Sequence, residues 1–401
     1  MPRRLAIIYV GTLPPHPGGS AISCAEFLTE IARLGQSVRS ISPVEAQCIC
    51  GGDAFAEAHP ELGVVRYEVP HFYIEPSLAE SREYRELEAA RVRVALLALV
   101  DEQRPDVVLI GRESFLSSVV PVAIRYGLPS VLRVAGSQVH AVAAGQYPVE
   151  FCREFRSNFG EVDVVVTQAS HMSTPLEALG CRTAKIIPNA VDLRRFSPRP
   201  VDASLARGLN LPPQAKVVLH ASNMKKLKRP LDIVLSAGEA VRQVNDLYYV
   251  VAGDGPMLGE MQQLCREKGL WQRFRFTGWL DYDRMPGLMN LAEVVVMPSE
   301  SEQQARVYLE AQASGRLLLA SDIPAAREVV EDGRTGILFR LGDIANLTAK
   351  TLLALSDPVL RRAIGKQSRE KAQRHDLRVI AREHLTTLHE AAEPAAHRRA
   401  F

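Results

Sequence analysis

Two glutamates that follow an apolar segment are the residues best placed to do chemistry in this sequence. Glu302 and Glu310, with seven residues between them, lie between the apolar segment 294–297 and Gly315. The segment is typical of a strand, so Glu302 follows a strand end and Glu310 lies about two turns into the next helix. The backbone N–H groups of residues 303–306 and the helix dipole would then point toward the same pocket. The spacing alone equally fits two solvated charges on a surface helix.

A basic segment is the second group of residues with evident chemistry. Residues 222–230 follow the apolar segment 216–221, so its cations lie at a predicted strand end. The four cations are Lys225, Lys226, Lys228 and Arg229. Together they could neutralise a diphosphate, although a run of charge is commonly a solubilising turn. Their position favours binding of phosphate by Lys228 and one further cation.

A glycine pair near the start of the chain could bring backbone N–H groups close to an anion. Gly18 and Gly19 follow the apolar segment 5–10, and Ser20 is predicted to be the N-cap of the next helix. Glycine permits such a close approach at a helix N-terminus. A plain tight turn explains the same pattern, so both interpretations stay open.

The elements that must position these residues are short strands that alternate with helical patterns. The predicted strands are 5–10, 37–42, 106–110, 130–134, 163–167, 184–188, 216–221, 247–253, 274–278, 293–298 and 316–320. They are apolar along their length rather than alternating, which is typical of parallel sheets covered on both faces. The succession of strand and helix predicts an α/β fold of βαβ units in doubly wound layers.

The proline-rich segment 196–214 divides this pattern into two halves. We therefore predict two Rossmann-like doubly wound parallel-sheet domains that face a central cleft, an N-terminal domain over 1–198 and a C-terminal domain over 199–375. Ligands in such sheets bind beyond the carboxyl ends of the strands. The residues that follow strands are consequently the candidates for function.

Composition excludes several classes of function. The 401 residues are 47% hydrophobic and 23% charged, with a net charge of +2 at pH 7, so the chain is no polycation and nucleic acid is not an expected partner. The six cysteines include no CxxC pair, which argues against a zinc site and favours a reduced, cytoplasmic protein. No signal peptide is expected, and no apolar stretch is long enough to span a bilayer.

Two further motifs are weak. Residues 250–261 contain Gly253-x-Gly255, but the third glycine, Gly259, comes one place late for a dinucleotide fingerprint. The Asp-Tyr-Asp at 281–283 has the form of a metal-binding Asp-x-Asp, but Asp283 as a helix N-cap explains it more simply.

Taken together, the motifs resemble those of family 4 glycosyltransferases, the GT-B type with a Glu-x7-Glu pair. The segments "PPHPGGSAIS", "IIPNAVDLRRFSP", "NMKKLK", "GDGP" and "FTGWL" occur in the family's order, followed by "PSESEQQARVYLEAQASG" and "SDIPAAREVVEDGRTGILF". The match covers nearly the whole chain. Each motif alone is weak, and the ordered set carries the resemblance.

The resemblance implies a retaining transfer of a hexosyl-type sugar from a nucleotide diphosphate, a hexosyltransferase activity of the EC 2.4 class. Glu310 matches the glutamate that holds the ribose hydroxyls, Glu302 the glutamate that faces the donor sugar, and Lys228 the lysine on the diphosphate. Gly18 and Gly19 match the glycines beside the phosphates. No metal or other cofactor is implied, because lysines and helix dipoles carry the leaving-group charge, and the co-substrate would be UDP- or GDP-linked.

On the donor side the sequence departs from the family pattern at several positions. Asn223 occupies the usual place of an arginine on the diphosphate, and Lys225 could substitute for it. Residues 303–305 replace the usual Gly-Phe-Gly after the first glutamate, so the contact with the donor is expected to differ. The further donor-side candidates are therefore Asn223, Lys225, Gln303, Gln304, Ala305 and Arg306.

On the acceptor side the sequence offers candidates but no identity. Ala135 stands where the family often has a histidine, and His140 is nearby without being equivalent. Arg112 and Arg133 follow strands of the first domain, where a purely structural role has equal weight. Segment 48–86 is expected to form part of the wall around a sugar, a lipid-linked sugar or a small-molecule acceptor.

Several expectations concern the end of the chain and its partners. By resemblance, a C-terminal helix within 376–401 packs back on the first domain. The amphipathic segment 88–103 either faces the core or contacts the inner face of a membrane, and no oligomeric state is predicted.

Two rival functions are a catalytically weak nucleotide-sugar-binding scaffold and a nucleotide-sugar 2-epimerase. The presence of Glu302, Glu310 and Lys228 favours the transferase.

Overall fold

Parallel β-sheet forms the centre of both halves of the chain. The computed structural model describes residues 3–16, 18–45, 48, 52–69, 82–181 and 184–393. The chain divides into unit 1, Met1–Asn189 with Leu377–Phe401, and unit 2, Ala190–Asp376. The change of unit comes before the boundary predicted at 198/199, because Val191 bridges to Asp376 and Phe196 is buried in a core of unit 2.

Strands and helices alternate along both units. The strands are β1 Ala6–Val10, β2 Ser37–Glu45, β3 Val64–Val69, β4 Val107–Ile110, β5 Ser130–Arg133, β6 Val164–Thr167, β7 Ala184–Ile186, β8 Lys216–Ala221, β9 Leu247–Ala252, β10 Phe274–Gly278, β11 Val294–Met297, β12 Leu317–Ser321 and β13 Ile337–Phe339. The helices are α1 Gly19–Arg33, α2 Ala54–Ala58, α3 Arg82–Glu102, α4 Leu116–Tyr126, α5 Ser137–Ala143, α6 Val149–Gly160, α7 Ser173–Glu177, α8 Ala203–Gly208, α9 Pro230–Gln243, α10 Leu258–Glu267, α11 Met285–Leu291, α12 Arg306–Ala313, α13 Pro324–Val329, α14 Ile344–Ser356, α15 Pro358–Ala372 and α16 Leu377–Ala392.

Unit 1 contains a seven-stranded parallel sheet in the order β3-β2-β1-β4-β5-β6-β7. Helix α16 follows unit 2 in the chain but belongs to unit 1, where it packs against α1. Phe27 of α1 stacks on His384 of α16 with ring centroids 4.9 Å apart. The final part of the segment predicted as a returning helix, residues 394–401, lies outside the described residues.

Unit 2 contains a six-stranded parallel sheet in the order β10-β9-β8-β11-β12-β13. Alternate residues of the central strands face two different cores, with Val217 and Leu219 of β8 in one and Val218 in the other. A strand that is covered on both faces has to be apolar at every position. The predicted fold class, two Rossmann-like α/β domains with parallel sheets, is confirmed.

Two strands were not predicted from the sequence. Strand β3 places Arg66 and Glu68 between apolar residues, and β13 has only three residues. Both lie at the edge of their sheets and pair with a single neighbour. Strand β3 and α2 fall within the segment 48–86 predicted as part of an acceptor wall, of which residues 49–51 and 70–81 lie outside the described part. The role of that segment stays a prediction.

Within the described part of the chain, no helix combines the length and the apolar character needed to cross a bilayer. Helix α3 carries the segment predicted either to face the core or to contact a membrane. Its Val92, Leu96 and Leu99 are buried in the core of unit 1. One side of α3 therefore faces the core, and a membrane contact of the other side stays a prediction.

Candidate functional site

The loops after three neighbouring strands of unit 2 meet at one edge of the sheet. Strands β8, β11 and β12 are adjacent in the sheet. The Glu300 N–H, after β11, donates to the Leu227 carbonyl, after β8, at 2.8 Å. The Ser321 hydroxyl at the end of β12 donates to the Ser299 carbonyl. These bonds fix the loops that carry the predicted donor-side residues.

Lys228 and Glu302 form an ion pair at this edge. Lys228 Nζ donates to Glu302 Oε1 at 2.5 Å, and the Ser299 hydroxyl donates to the same oxygen at 2.8 Å. The side chains of Lys228 and Glu302 are only 15% and 8% exposed, so both charges are largely removed from water. Loss of one partner would leave the other charge buried without compensation. The structure thus brings into contact the two residues predicted to be catalytic.

Glu310 is the second carboxylate of the site, and two donors hold it. The Tyr282 hydroxyl donates to Glu310 Oε1 at 2.7 Å, and Arg306 Nε lies 3.5 Å from the same oxygen. The Arg306 guanidinium also donates to the Tyr282 hydroxyl. The side chains of Arg306 and Glu310 are 7% and 3% exposed. Because a tyrosine hydroxyl and a guanidinium both donate, the Glu310 carboxylate is a hydrogen-bond acceptor in this cluster.

The other predicted donor-side residues surround this edge. Lys225 is exposed and directly precedes the short 3₁₀ turn of the basic loop. Asn223 is half-buried, and its buried Oδ1 has no hydrogen-bond partner among the described residues. Gln304 is buried, while Gln303 and Ala305 are half-buried. Ala305 is the N-cap of α12 and makes no side-chain capping bond, so the positive end of that helix dipole lies at the same edge.

A buried histidine, absent from the sequence prediction, supports the basic loop. His220 Nδ1 lies 2.9 Å from the Val296 carbonyl, and its Nε2 lies 2.8 Å from the Ser222 hydroxyl. Because a carbonyl only accepts, Nδ1 carries the proton and Nε2 accepts from Ser222. The Ser222 oxygen in turn accepts from the Met224 N–H at 3.2 Å. The signal for this network in the sequence is a single polar residue inside the apolar segment 216–221.

We expect the protein to lose stability as the pH falls from about 6.5 toward 4. Burial, assisted by the charge of Lys228, lowers the pKa of His220 to about 4. Between these values the unfolded chain binds a proton that the folded protein does not, so acid favours unfolding by up to about 3 kcal/mol for this group. Unfolding measured across this range should depend less steeply on pH in His220→Gln than in the wild type.

His384 provides the internal reference for this measurement. Burial lowers the pKa of His384 to about 3, so its contribution has the same sign and is present in both proteins. The difference between wild type and variant therefore isolates His220. Equal pH dependence in the two proteins, or a His220 imidazole that titrates near its ordinary pKa in the folded protein by NMR, would contradict the assignment.

Two glycines let a second loop approach the basic one. Gly253 and Gly255 have φ of 117° and 148°. A Cβ on Gly253 would lie 1.9 Å from the Ser222 carbonyl oxygen, and one on Gly255 would lie 2.0 Å from the Asn223 carbonyl oxygen. The glycines of the Gly253-x-Gly255 motif therefore permit a close contact between the two loops. This contact positions Asn223.

Gly255→Ala is expected to destabilise unit 2 by roughly 2–4 kcal/mol, because both the space and the backbone conformation require glycine. Gly259→Ala is the matched control. Gly259 lies in α10, and apart from its chain neighbours and the nearby backbone of its own helix, no described atom would lie within 4 Å of a Cβ there. Alanine at that position should stabilise the helix by about 0.5–1 kcal/mol. Urea unfolding of the two variants tests the contrast, and similar stabilities would show that the loops are not in close contact.

The Asp-Tyr-Asp segment is capped by Asp281 rather than by Asp283. The Asp281 side chain accepts from the Asp283 N–H at 3.0 Å at the start of the 3₁₀ turn Tyr282–Arg284. Asp283 instead pairs with Arg195 at 2.5 Å. The prediction of Asp283 as the N-cap is therefore wrong, and the segment serves to orient Tyr282.

The glycine pair of unit 1 lies at the start of a helix. Helix α1 begins at Gly19, and Gly18 is its N-cap with φ of 115° and no side-chain capping bond. Ser20 is inside the helix, so its prediction as the N-cap is wrong. The positive φ of Gly18 is a backbone conformation that favours glycine. A contact of these glycines with phosphate stays a prediction.

The acceptor-side candidates of unit 1 occupy different environments. Arg133 is buried, and it donates to Asn189 Oδ1 at 2.6 Å and to the Ser23 hydroxyl at 3.3 Å. These bonds give Arg133 a structural role, which the sequence analysis weighed equally with a role in binding the acceptor. Arg112 is half-buried after β4, and His140 is exposed on α5. The structure does not bring these three side chains into one hydrogen-bonded group, and their contact with an acceptor stays a prediction.

Comparison with known sequences identifies relatives of this chain. The family model "Glycosyl transferases group 1" matches residues 203–371. The alpha-D-kanosaminyltransferase of Streptomyces kanamyceticus is 31% identical over 155 residues, which cover 38% of this chain and 39% of that protein. The GDP-mannose-dependent alpha-(1-6)-phosphatidylinositol monomannoside mannosyltransferase of Mycobacterium tuberculosis is 26% identical over 376 residues, which cover 90% of this chain and 92% of that protein. The chain thus spans less than half of the first relative and most of the second.

A solved structure extends the comparison to the fold. The Anabaena protein HepE, in complex with UDP and glucose, matches with a TM-score of 0.73 and 18% sequence identity. The match covers 96% of this chain and 99% of that chain, so it includes both units. At this identity the likeness concerns the fold alone.

Proposed function

We propose that this chain, which belongs to the glycosyl transferases group 1, moves a hexosyl-type sugar from a nucleoside diphosphate to an acceptor with retention of configuration. The glycosyl transferases group 1 are family 4 of the GT-B-fold glycosyltransferases (EC 2.4). The observation that supports this proposal is the contact of Lys228 with Glu302, with Glu310 held further along the same segment. These are the residues at which the sequence resembles the family's donor site.

Lys228 is proposed to stabilise the departing diphosphate. As the bond between sugar and phosphate breaks, the sugar becomes cation-like while negative charge grows on the diphosphate. A fixed ammonium group and the N-terminal N–H groups of α12 would stabilise that charge. The ammonium group is paired with Glu302. Since an ammonium group has three N–H donors, Lys228 can donate to the diphosphate while it keeps its bond to Glu302.

Glu302 is proposed to face the donor sugar. Ser299 and Lys228 hold its Oε1 in one orientation. From there the carboxylate can accept hydrogen bonds from sugar hydroxyls and stabilise positive charge on the ring. Retention is proposed to arise from attack by the acceptor on the face that the diphosphate leaves, with a phosphate oxygen taking the acceptor's proton. Glu302 is not assigned as a covalent nucleophile.

The donor is proposed to be UDP- or GDP-linked, and the acceptor to be a sugar, a lipid-linked sugar or a small molecule. Two of the similar proteins support this range by their names. The mycobacterial relative is a GDP-mannose-dependent phosphatidylinositol mannoside mannosyltransferase, and HepE was solved with UDP and glucose. Glu310 is proposed to accept hydrogen bonds from the ribose of either nucleotide.

Thermal stabilisation by nucleoside diphosphates tests the donor site. UDP, GDP, ADP and TDP, with NAD as a control, would be added to the wild type and to Glu310→Ala. A ligand at 100 times its Kd adds about 2.7 kcal/mol of stability, which is readily detected. A shift with one nucleoside diphosphate that is lost in the variant supports the proposal. The absence of a shift with all four would overturn the donor site and favour a scaffold.

Turnover then separates the transferase from a nucleotide-sugar 2-epimerase. The sugar nucleotide that matches the stabilising nucleotide would be incubated with the protein, with and without a panel of acceptors. A transferase releases the nucleoside diphosphate together with a glycosylated acceptor. Formation of an epimerised sugar without any acceptor would contradict the proposed transfer.

A further inference from the structure

Helix α3 becomes polar on the side that faces the core of unit 1. Val92, Leu96 and Leu99 follow one another at spacings of three or four residues, and all three are buried in that core. One turn before Val92 the same stripe continues with Glu88, whose side chain is half-buried. A carboxylate on a core-facing stripe costs free energy unless it is paired. Packing alone therefore does not account for Glu88.

Glu88 lies toward the carboxyl edge of the sheet in unit 1. Helix α3 connects β3 to β4, so its first turns pass the carboxyl ends of the strands. At the other end of the helix, Glu102 pairs with Arg39 near the start of β2, which is the amino edge. The polar part of the core-facing stripe is thus at the edge where ligands of such sheets bind.

Two side chains from other elements accompany Glu88. The hydroxyl of Tyr67, a buried residue of β3, donates to Glu88 Oε1 at 3.1 Å. Half-buried Arg112 comes just after β4, and the strand order of the sheet reverses between β1 and β4. Burial raises the pKa of Glu88, and the bond from Tyr67 and the charge of Arg112 only partly offset this rise. Arg112 is therefore close enough for its charge to act on the carboxylate.

Part of the hydrogen-bonding capacity of these side chains is not used within the described part of the chain. There, no donor contacts Glu88 Oε2, and no acceptor receives a hydrogen bond from the Arg112 guanidinium. A carboxylate oxygen can accept two hydrogen bonds, and a guanidinium carries five N–H donors. Glu88 and Arg112 can consequently offer an acceptor and several donors to one ligand.

We propose that Glu88 and Arg112, with Tyr67 positioning the carboxylate, bind two neighbouring hydroxyl groups of an uncharged polyol acceptor. The three residues are here called the Glu88 group. The proposal rests on the proposed function and names the chemical class of its acceptor. A hydroxyl group both donates and accepts, so it can bond to a carboxylate and to a guanidinium at once. Charged ligands are disfavoured, because an anion is repelled by Glu88 and an ammonium group by Arg112.

Transfer to a panel of probes tests this class of acceptor. The donor would be the sugar nucleotide that matches the stabilising nucleotide. The probes would be the methyl glycosides of glucose, galactose and mannose, myo-inositol, and the apolar alcohol n-octanol. The wild type should glycosylate at least one polyol and not n-octanol. Counterparts of that polyol that carry a carboxylate or an ammonium group should have kcat/KM lower by about 10- to 100-fold.

An octyl derivative of the accepted polyol distinguishes two sources of the same chemistry. A kcat/KM equal to that of the parent polyol indicates a free polyol, and a higher value indicates a lipid-linked one. Both results support the proposal, since the hydroxyl groups are the same.

Two variants assign the preference to the charges of the Glu88 group. Glu88→Gln should raise KM for the accepted polyol by about 10- to 100-fold and leave nucleoside diphosphate affinity unchanged. It should also make the anionic counterpart a better acceptor relative to the polyol, because the charge of Arg112 is then unbalanced. Arg112→Met should favour the ammonium-bearing counterpart in the same way. A merely structural role would lower transfer to all three acceptors alike.

Glu102→Gln and Arg125→Met are the matched controls. Glu102 is an exposed carboxylate at the other end of α3, and Arg125 is an exposed cation in the last turn of α4. Both variants should keep the wild-type KM and the preference for the uncharged polyol. Tyr67→Phe, which removes the hydroxyl that positions Glu88, should raise KM less than Glu88→Gln does. Thermal unfolding without ligand shows whether each variant is folded.

Four results would overturn the proposal. They are transfer to none of the polyols, a charged counterpart used as well as the polyol, unchanged KM in both Glu88→Gln and Arg112→Met, and an equal loss with all three acceptors in these variants. The last would show that the Glu88 group only ties α3 to the sheet. Failure of every nucleoside diphosphate to bind the wild type is a different outcome, since it contradicts the proposed function itself.

Discussion

Glu302→Gln is expected to lower kcat by about 10²- to 10³-fold, the effect of removing one fixed group that stabilises transition-state charge. The amide keeps the size of the side chain but cannot balance positive charge on the sugar ring. Nucleoside diphosphate affinity should be unchanged or slightly higher. The reason is that the substitution removes a negative charge 2.5 Å from Lys228 Nζ, which strengthens the positive potential on the phosphates.

Two measurements on the same variant check this expectation. Single-turnover transfer reports the chemical step, and calorimetric titration with the preferred nucleoside diphosphate reports binding. Glu300→Gln is the matched control, because Glu300 is an exposed carboxylate in the same loop that contacts the basic loop through its backbone N–H. A parallel loss of affinity and kcat in Glu302→Gln, or equal activity of the two variants, would contradict a role for Glu302 on the donor sugar.

The strands at the centre of each sheet are predictable from the sequence because burial on both faces makes them apolar throughout. In β11, Val295 and Met297 face one core of unit 2, while Val294 and Val296 face the other. Strand β3, at the edge of its sheet, lacks this signal, although the edge strands β7 and β10 were predicted. Strand β3 alternates apolar residues with Arg66 and Glu68 and has one neighbour, so its sequence resembles that of a polar loop.

The site is predictable only where its signal is local or where the resemblance supplies it. The positions of Glu302 and Glu310 after a strand follow from the pattern of one segment. The contact of Lys228 with Glu302 joins residues 74 positions apart. The resemblance assigned both residues to the donor site, but their contact was not predicted. The bond from Tyr282 to Glu310 joins two loops 28 positions apart. Neither loop contains a sequence feature that indicates its contact with the other, so Tyr282 was not predicted to be a residue of the site.

Lys228→Met is expected to weaken nucleoside diphosphate binding by about 10²-fold or more, because it removes a cation from the phosphates and leaves a buried anion beside them. Glu302 would then keep only the Ser299 hydroxyl among the contacts that now hold its Oε1. Binding of the free nucleoside, which has no phosphate, should be almost unaffected. Lys226→Met is the matched control, because Lys226 is exposed in the same turn.

The double variant Lys228→Met with Glu302→Gln separates stability from function. Lys228→Met alone should lower the free energy of unfolding by about 3–5 kcal/mol, since it leaves Glu302 as an uncompensated buried charge. Neutralising Glu302 as well should restore much of this loss, because the amide carries no charge. Diphosphate affinity and transfer should stay low in the double variant, since the missing cation is not replaced. Recovery of affinity together with stability would show that Lys228 acts only by balancing Glu302, whereas recovery of stability alone assigns the ammonium group to the diphosphate.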